Sequence, residues 1–186
     1  MPTVTEANDR SALQTQPDHD AQPWKGYGSD RKKLHFGSRM SERGRRRCTI
    51  ENHTTFERRS QVSGSIQSHF ADNPDPNFII FSPMGQPLAV TFDRPIIAAG
   101  LDVEAVPVSV EPNQEYRVVM RLFSNGALLK ELSKKGKVQT ATFIGATCDS
   151  EAIARMEISV LLINRATGAE APVRFCANGL DFRASP

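Results

Sequence analysis

The feature that most constrains the fold of this chain is an alternation of apolar and polar residues with a period of two. It is clearest in a segment that occurs twice with small differences, which we name the repeated phrase. The first copy is Ala98–Ala105 (AAGLDVEA) and the second is Ala177–Ala184 (ANGLDFRA). In both copies a Gly precedes an apolar residue, an Asp, a second apolar residue, a charged residue and an Ala. This period is typical of a strand with one face against a core and the other in water. The sequence therefore predicts a β-strand at each copy.

A hairpin signal lies between the two copies. Alternating apolar residues run from Tyr116 to Leu122, Asn125-Gly126 follows, and a second strand-like run extends from Ala127 to Leu132. An Asn-Gly pair suits the type I′ turn of a two-residue hairpin, because both central residues of that turn need positive φ. The sequence predicts two antiparallel strands here, followed by a polar turn at Lys134–Lys137 and a further strand from Val138 to Ile144.

The remaining signals complete an all-β pattern. About nine short strands, with turns roughly every 8–12 residues, extend from about residue 78 to 184 and predict an antiparallel β-sandwich of the jelly-roll type. Residues 149–158 allow two interpretations. Asp149 suits the cap of a short helix, but alternation from Ala154 to Val160 favours a turn followed by a strand.

Charge and composition divide the chain into two parts. Residues 1–47 contain ten Lys and Arg and six Asp and Glu, whereas residues 48–186 contain thirteen and fifteen. The first part is rich in Asp, Gln, Ser, Pro and Gly, which bury too little apolar area to offset the entropy of ordering a chain. The sequence predicts a disordered basic leader over 1–47 and a jelly-roll domain over 48–186.

Hydropathy, the N-terminal pattern and the cysteines limit the cellular locations and the kinds of cysteine site that the sequence allows. No apolar run approaches the roughly 18 residues of a membrane span, and the N-terminus lacks the pattern of a secretory signal. If Met1 is the true start, we expect a cytoplasmic protein.

The three cysteines match no zinc motif. Cys148 and Cys176 are either small buried side chains or, in an oxidising compartment, a disulfide.

Several stretches resemble galactose-binding-like jelly-roll modules, which are common in bacterial exported proteins that carry a PEP-CTERM sorting tail. The resemblance is carried by Val90–Asp102, by Ile144-Gly145 with Cys148–Ile153, and by Gly179-Leu180-Asp181. An Asn usually follows the last Asp in these modules, whereas Phe182 stands here, and the sequence shows no sorting tail. The resemblance covers roughly residues 55–184 and implies the sandwich fold.

The resemblance also implies a structural calcium ion. Such modules often hold calcium with carboxylates at strand ends, since this cation takes six to eight oxygen ligands. Asp102 and Asp181, in the two copies of the repeated phrase, are the ligands that it suggests. The alternative is that both carboxylates are solvated groups on the wet face of a strand.

Two groups of polar residues are candidates for binding a glycan or a cell-surface polymer. The first lies in the predicted connections, at Asp93-Arg94, Asn125-Gly126 and 148–151. The second is a basic sheet face formed by Arg117 and Arg121, with Lys130 across the hairpin, which would bind anionic groups by charge-assisted hydrogen bonds. Ordinary polar strand faces are the alternative interpretation. Asp93, Arg94, Arg117, Arg121 and Asn125 are the predicted ligand-binding residues.

The leader suggests a second function. A basic run that ends at Arg45, Arg46 and Arg47 would neutralise phosphates, which predicts contact with nucleic acid or a self-assembling, coat-like protein. No nucleophile elbow or metal-ligand spacing accompanies these patterns. The sequence therefore predicts a non-enzymatic binding or structural module without catalytic residues.

Overall fold

The structure, a computed structural model, consists of two facing antiparallel sheets. It describes residues 2–14, 19–22, 32–33, 38–40, 47–51, 56–60, 62–63, 66–67 and 78–183. Sheet I contains, in spatial order, β1 (Val4–Ala7), β14 (Thr142–Cys148), β11 (Ala98–Ala105), β17 (Phe175–Arg183), β9 (Phe78–Ser82), β6 (Glu57–Ser60) and β3 (Lys32–Lys33), with β2 (His19–Gln22) also paired with β17.

Sheet II packs against sheet I. It contains, in spatial order, β13 (Ala127–Lys137), β12 (Glu115–Ser124), β15 (Ile153–Ile163), β10 (Leu88–Ile96), β5 (Arg47–Ile50) and β4 (Ser38–Met40), with β16 (Glu170–Pro172) also paired with β15. A small pair, β7 (Val62–Ser63) and β8 (Ile66–Gln67), and one helical turn, α1 (Ser11–Gln14), complete the described elements. Successive strands from β9 onward repeatedly cross between the sheets, and the predicted antiparallel β-sandwich is confirmed.

Apolar side chains from both sheets fill the interior. Phe56, Tyr116, Phe175 and Phe182 have no exposed surface, and the ring centroids of Phe92 and Phe182 lie 5.5 Å apart. Burying one side chain of this size contributes about 2–3 kcal/mol. None of the helices that the structure describes has the length and apolarity to cross a membrane.

The two ends of the sandwich carry different loops. β11 and β15 run towards the end that we name the upper end, which carries loops 83–87, 106–114, 138–141 and 164–169. The opposite, lower end carries the Asn125-Gly126 turn and loop 149–152. Sites on different connections can therefore be assigned to one end or the other.

The two copies of the repeated phrase are neighbouring strands. In the β11–β17 pair, Gly100 lies opposite Asp181, and the register shifts between Leu101 and Val103. Gly100 also lies opposite Gly145 of β14. A Cβ on Gly100 would lie 2.6 Å from the Phe143 ring. Glycine is required at position 100 because the Phe143 ring packs across the backbone there. The register shift lies one residue later, between Leu101 and Val103.

The hairpin prediction is confirmed, and so is the strand interpretation of residues 153–163. Asn125 and Gly126 have φ angles of 48° and 81°, as a type I′ turn requires. The turn predicted at Lys134–Lys137 is wrong, because these residues form the upper part of β13. The chain turns later, where Gln139 has a φ of 69°.

The prediction of a disordered leader does not hold for the first residues of the chain. Val4–Ala7 pair with Gly145–Cys148, and α1 then lies on the outer face of sheet I, where Leu13 is fully buried with Ala7 and Ala98. We name residues 8–14 the strap. The composition of these N-terminal residues does not predict an ordered structure. They are ordered because the free edge of β14 offers backbone hydrogen bonds and β11 offers apolar surface. The boundary at 47/48 remains a prediction.

The strand register excludes the disulfide considered for Cys148 and Cys176. The Cys148 amide donates to the Ile97 carbonyl, whereas Cys176 lies opposite Glu104. Seven residues of strand separate these positions, about 23 Å at 3.3 Å per residue, and a disulfide needs Cα atoms within about 7 Å. All three cysteines are buried thiols, as the alternative interpretation predicted.

Candidate functional site

A cleft of about 410 Å³ opens at the upper end, where the edge strand β13 approaches β14. Its lining combines apolar surface with three lysines and one glutamate. We name it the lysine cleft, and it is lined by Glu115, Lys134, Lys135, Gly136, Lys137, Thr140, Ala141, Thr142 and Phe143.

The cleft is open because β1 pairs with only part of the neighbouring strand β14. β1 pairs with the Gly145–Cys148 half of β14. In the described part of the chain no strand pairs with the outer edge of Thr142–Ile144. The chain leaves the sheet edge at Asn8, whose carbonyl accepts a hydrogen bond of 3.1 Å from Lys134 Nζ. The start of the strap therefore positions one of the three lysines.

Tyr116 fixes the wall of the cleft from inside the core. Its hydroxyl lies 2.9 Å from the Val103 carbonyl, 2.7 Å from the Thr140 carbonyl and 2.9 Å from Thr142 Oγ1. Burial raises the pKa of Tyr116 well above its ordinary value, although the hydrogen bond with Thr142 lowers it. Loop 138–141 is thus anchored by buried hydrogen bonds, and the cleft is preformed.

The cleft has more positive than negative charge. Three lysines and one glutamate are among the lining residues, and Lys135 Nζ lies 3.7 Å from Glu115 Oε2. Both of these side chains are largely exposed, so water and salt weaken the pair. The remaining ammonium groups attract an anionic ligand. The Thr140 hydroxyl adds neutral hydrogen-bonding capacity at the exposed rim.

The predicted basic face of Arg117 and Arg121 is neutralised in the structure. Both lie on the outer face of sheet II, but Arg117 pairs with Glu170 at 2.6 Å and Arg121 pairs with Glu131 at 2.7 Å. Lys130 lies opposite Leu122, next to a register shift, and so does not share this face. Neighbouring strands supply carboxylates to this face that sequence proximity does not reveal, and ligand binding by Arg117 and Arg121 remains a prediction.

The predicted loop residues meet at the lower end. Asp93 and Arg94 are exposed beside an irregular register in β10, and Asn125 is exposed at the hairpin turn. Loop 149–152 joins them there, with Asp149 accepting a hydrogen bond of 3.1 Å from the Thr3 amide. The topology brings these residues to one end of the sandwich, and ligand binding there remains a prediction.

The residues suggested for calcium are both bound by an arginine of the leader. Arg10 Nη2 lies 2.8 Å from Asp102 Oδ2, and Arg10 Nη1 contacts Asp181 Oδ2. Asp181 is fully buried. The two carboxylates therefore share one guanidinium as their partner, and calcium binding by them remains a prediction. In the part of the chain that the structure describes, no cluster of three or more His, Cys, Asp or Glu side chains is arranged for a metal ion.

The predicted nucleic-acid residues fall mostly outside the described ranges. Arg45 and Arg46 lie outside them, and Arg47 begins β5, where it pairs with Met40. This pairing concerns the backbone only. Contact with nucleic acid remains a prediction.

An ion-pair network that the sequence did not indicate lies on the outer face of sheet II. Arg155 Nε donates to Glu51 Oε1 at 2.8 Å, and Arg155 Nη2 lies 3.0 Å from Glu51 Oε2 and 2.6 Å from Glu157 Oε1. The guanidinium also lies 5.0 Å from the centroid of the Phe123 ring. The hydrogen bond from Arg155 holds the pKa of Glu51 below its ordinary value of 4.5. The network ties β15 to the end of β5.

This network predicts a pH-dependent contribution to stability. Because the folded-state pKa of Glu51 lies below its unfolded value, the stabilisation is complete above that unfolded value and is lost as the pH falls through the folded value. We expect Glu51→Gln to cost under about 1 kcal/mol at pH 7, since the pair is partly exposed, and almost nothing at pH 2.

Urea unfolding of both proteins at pH 7 and pH 2 measures this difference. Glu131→Gln is the matched control, because its partner Arg121 is more exposed, and a smaller pH-dependent change is expected there. An equal cost of Glu51→Gln at both pH values would contradict the assignment.

The fold was compared with known proteins. No protein-family model matches the sequence, and no curated protein matches it. Among solved structures, TmCBM61 in complex with beta-1,4-galactotriose has 9% identity and a TM-score of 0.36, over 75% of this chain and 89% of that one. The CBM22-1 xylan-binding domain from Paenibacillus barcinonensis Xyn10C has 6% identity and a TM-score of 0.39, over 89% of this chain and 94% of that one.

A third solved structure is an enzyme domain. It is the catalytic domain of a GH87 alpha-1,3-glucanase in complex with tetrasaccharides, with 9% identity and a TM-score of 0.38 over 82% of this chain. This chain spans 29% of that structure.

Proposed function

We propose that this protein is a non-enzymatic β-sandwich module that binds an acidic polysaccharide in the lysine cleft. The observation that carries the proposal is that Lys134, Lys135 and Lys137 all line one cleft whose lining contains a single carboxylate, Glu115. Ammonium groups bind carboxylate or sulfate groups by charge-assisted hydrogen bonds.

The rest of the lining suits a sugar ring. Phe143 offers a partly exposed aromatic surface, and Thr140 offers a hydroxyl at the rim. Carbohydrate ligands use both, since their C–H faces stack on rings and their hydroxyls need hydrogen-bond partners. The open edge of Thr142–Ile144 leaves room for a linear polymer to extend along β14.

The same lining argues for binding without catalysis. Hydrolysis of a glycosidic bond generally uses two carboxyl groups, one on each side of the bond. Glu115 supplies one, and the other side chains that line the cleft are lysines, threonines, Ala141 and Phe143. The cleft therefore has the groups to hold an acidic polymer but lacks the second carboxyl group for general acid–base hydrolysis.

Neutralising the cleft tests this function. We expect the double substitution Lys135→Gln and Lys137→Gln to weaken binding of polygalacturonate or dextran sulfate at least tenfold, because two charge-assisted contacts of about 1 kcal/mol each are lost. Isothermal titration at 50 mM and 300 mM salt measures the affinity and its salt dependence, which should also decrease.

Lys130→Gln is the matched control, because Lys130 is exposed on the same strand but does not line the cleft. It should leave the affinity unchanged. Unchanged binding by the double variant, or tight binding of neutral galactan alone, would overturn the proposal.

The hypothesis that the basic leader contacts nucleic acid is tested with substitutions in the leader and not in the lysine cleft. Deleting residues 1–47 would also remove β1 and Arg10, which belong to the sandwich. Replacing Arg45, Arg46 and Arg47 by Gln changes the charge without removing these contacts. Loss of nucleic-acid binding in that variant, with polysaccharide binding retained, would support the nucleic-acid alternative.

A further inference from the structure

Exposed apolar side chains are concentrated at the upper end. Met84, Val108, Val110 and Leu128 are the exposed large apolar residues of the part that the structure describes, and the first three lie on upper-end loops. Val108 is 90% exposed and Met84 is 75% exposed. Single exposed apolar residues are common, but three on the two loops 83–87 and 106–114 of one end indicate a surface for interaction.

Hydrogen bonds hold the longer of these loops in place. Arg174 Nε donates to the Val106 carbonyl at 3.2 Å, and Arg165 Nη1 donates to the Pro112 carbonyl at 2.8 Å. The Val138 amide donates to the Gln114 carbonyl at 2.9 Å. Both sides of loop 106–114 are thus fixed, so the exposure of Val108 is a built feature of the fold.

The turn that presents Met84 is also constrained. Gly85 has a φ of 68°, and a Cβ at this position would lie 2.9 Å from the Val173 carbonyl oxygen. Ser82 Oγ lies 3.1 Å from the Gln86 carbonyl across the same turn. Gly85 therefore packs against the sandwich while the neighbouring Met84 side chain points into solvent.

Basic residues lie at the same end of the sandwich as these apolar side chains. They are Lys134, Lys135, Lys137, Arg165 and Arg174, against the carboxylates Glu111, Glu115 and Glu170. Glu115 lies beside Lys135, and Glu170 pairs with Arg117. The lower-end segments instead carry three exposed carboxylates, Asp93, Asp149 and Glu151, against one exposed basic residue, Arg94. The sandwich is electrostatically polar, with its positive end at the apolar tips.

We propose that the upper end docks onto an anionic lipid surface, with Met84, Val108 and Val110 inserted among the headgroups. Apolar tips combined with basic side chains are what a negatively charged bilayer interface attracts. The exposed apolar side chains lie on two separate loops, and a bilayer interface accepts such projections, whereas a protein partner would need a matching pocket for each. This inference goes beyond polysaccharide binding, since the inserted residues do not line the lysine cleft.

Vesicle cosedimentation of the full chain tests the inference. We expect binding to vesicles of phosphatidylcholine with 30% phosphatidylserine, and little binding to phosphatidylcholine alone. The double substitution Val108→Ser and Val110→Ser should reduce the partition coefficient at least tenfold. Leu128→Ser is the control, because Leu128 is also an exposed large apolar residue but lies at the lower end, and it should have no effect.

Two further readouts separate this inference from the proposed function. The double Ser variant should bind polygalacturonate with unchanged affinity, which also shows that it is folded. Val108→Trp should strengthen vesicle binding at least threefold, because indole partitions into the interface. Equal vesicle binding by the double Ser variant, or no binding of the unmodified chain to anionic vesicles, would overturn the inference while leaving the polysaccharide proposal intact.

Discussion

Arg10→Met is expected to reduce the free energy of unfolding by about 3–5 kcal/mol, the largest effect that we predict for a single side chain. The guanidinium contacts Asp102 through Nε at 3.1 Å and Nη2 at 2.8 Å, and it also contacts the fully buried Asp181. Removing one member of a buried ionic group leaves the other charges without compensation in a poorly hydrated site.

The same substitution should also release the strap. Arg10 lies 5.9 Å from the centroid of the Phe143 ring, and Leu13 packs with Phe143, Ala7 and Ala98 on the outer face of sheet I. With Arg10 removed, these apolar contacts alone must hold residues 8–14. Hydrogen exchange should then increase at the strap amides before it increases in the core strands.

Chemical denaturation of three proteins tests this prediction. Arg94→Met, at an exposed position, is the matched control and should cost less than about 0.5 kcal/mol. Adding Asp181→Asn to Arg10→Met should recover part of the lost stability, because it removes the uncompensated charge. A cost below about 1 kcal/mol for Arg10→Met would show that the contacts with the two carboxylates do not stabilise the fold.

Gly136→Ala is expected to destabilise the protein by about 3 kcal/mol. A Cβ at this position would lie 2.2 Å from Thr142 Oγ1 and 2.5 Å from Cζ of Tyr116. Tyr116 is fully buried and holds three hydrogen-bond partners, so the ring cannot move aside without losing them. Forcing a methyl group into a packed site costs about 1–3 kcal/mol, and lost buried hydrogen bonds add to that.

Thermal and chemical unfolding measure this cost. Gly126→Ala is the control, because a Cβ there meets nothing within 4 Å and only its φ of 81° opposes the substitution. We expect about 1 kcal/mol for that variant. Polysaccharide binding should weaken in Gly136→Ala even where the protein is folded, since Gly136 lines the lysine cleft. Similar costs for the two variants would contradict the packing argument.

Local patterns identify several of the strands beyond residue 78, but not those that the first 60 residues contribute. The Asn125-Gly126 turn and the alternation in β12 and β15 were identified because side-chain periodicity and positive φ are properties of neighbouring residues. The Lys134–Lys137 segment was misassigned as a turn, because its polarity resembles that of a loop. Gly136 instead serves the packing of Tyr116, twenty residues earlier in the sequence.

The candidate site was much less predictable. Arg10 is separated from Asp102 by 92 residues and from Asp181 by 171, and its segment has the composition of a disordered leader. The repeated phrase draws attention to Asp102 and Asp181, but it gives no indication that Arg10 contacts both of them. The lysine cleft depends on where β1 stops covering β14, which no local pattern encodes.

By itself the sequence determined that residues beyond about 78 form antiparallel strands with a hairpin at Asn125-Gly126, because these features follow from alternation and turn chemistry over a few residues. Only the tertiary structure determined which charged side chains are in contact. It placed Arg10 between Asp102 and Asp181, paired Arg117 and Arg121 with carboxylates, and gathered lysines and apolar tips at the upper end. Electrostatic and packing energies depend on distances in space, and the strand register sets those distances across large separations in sequence.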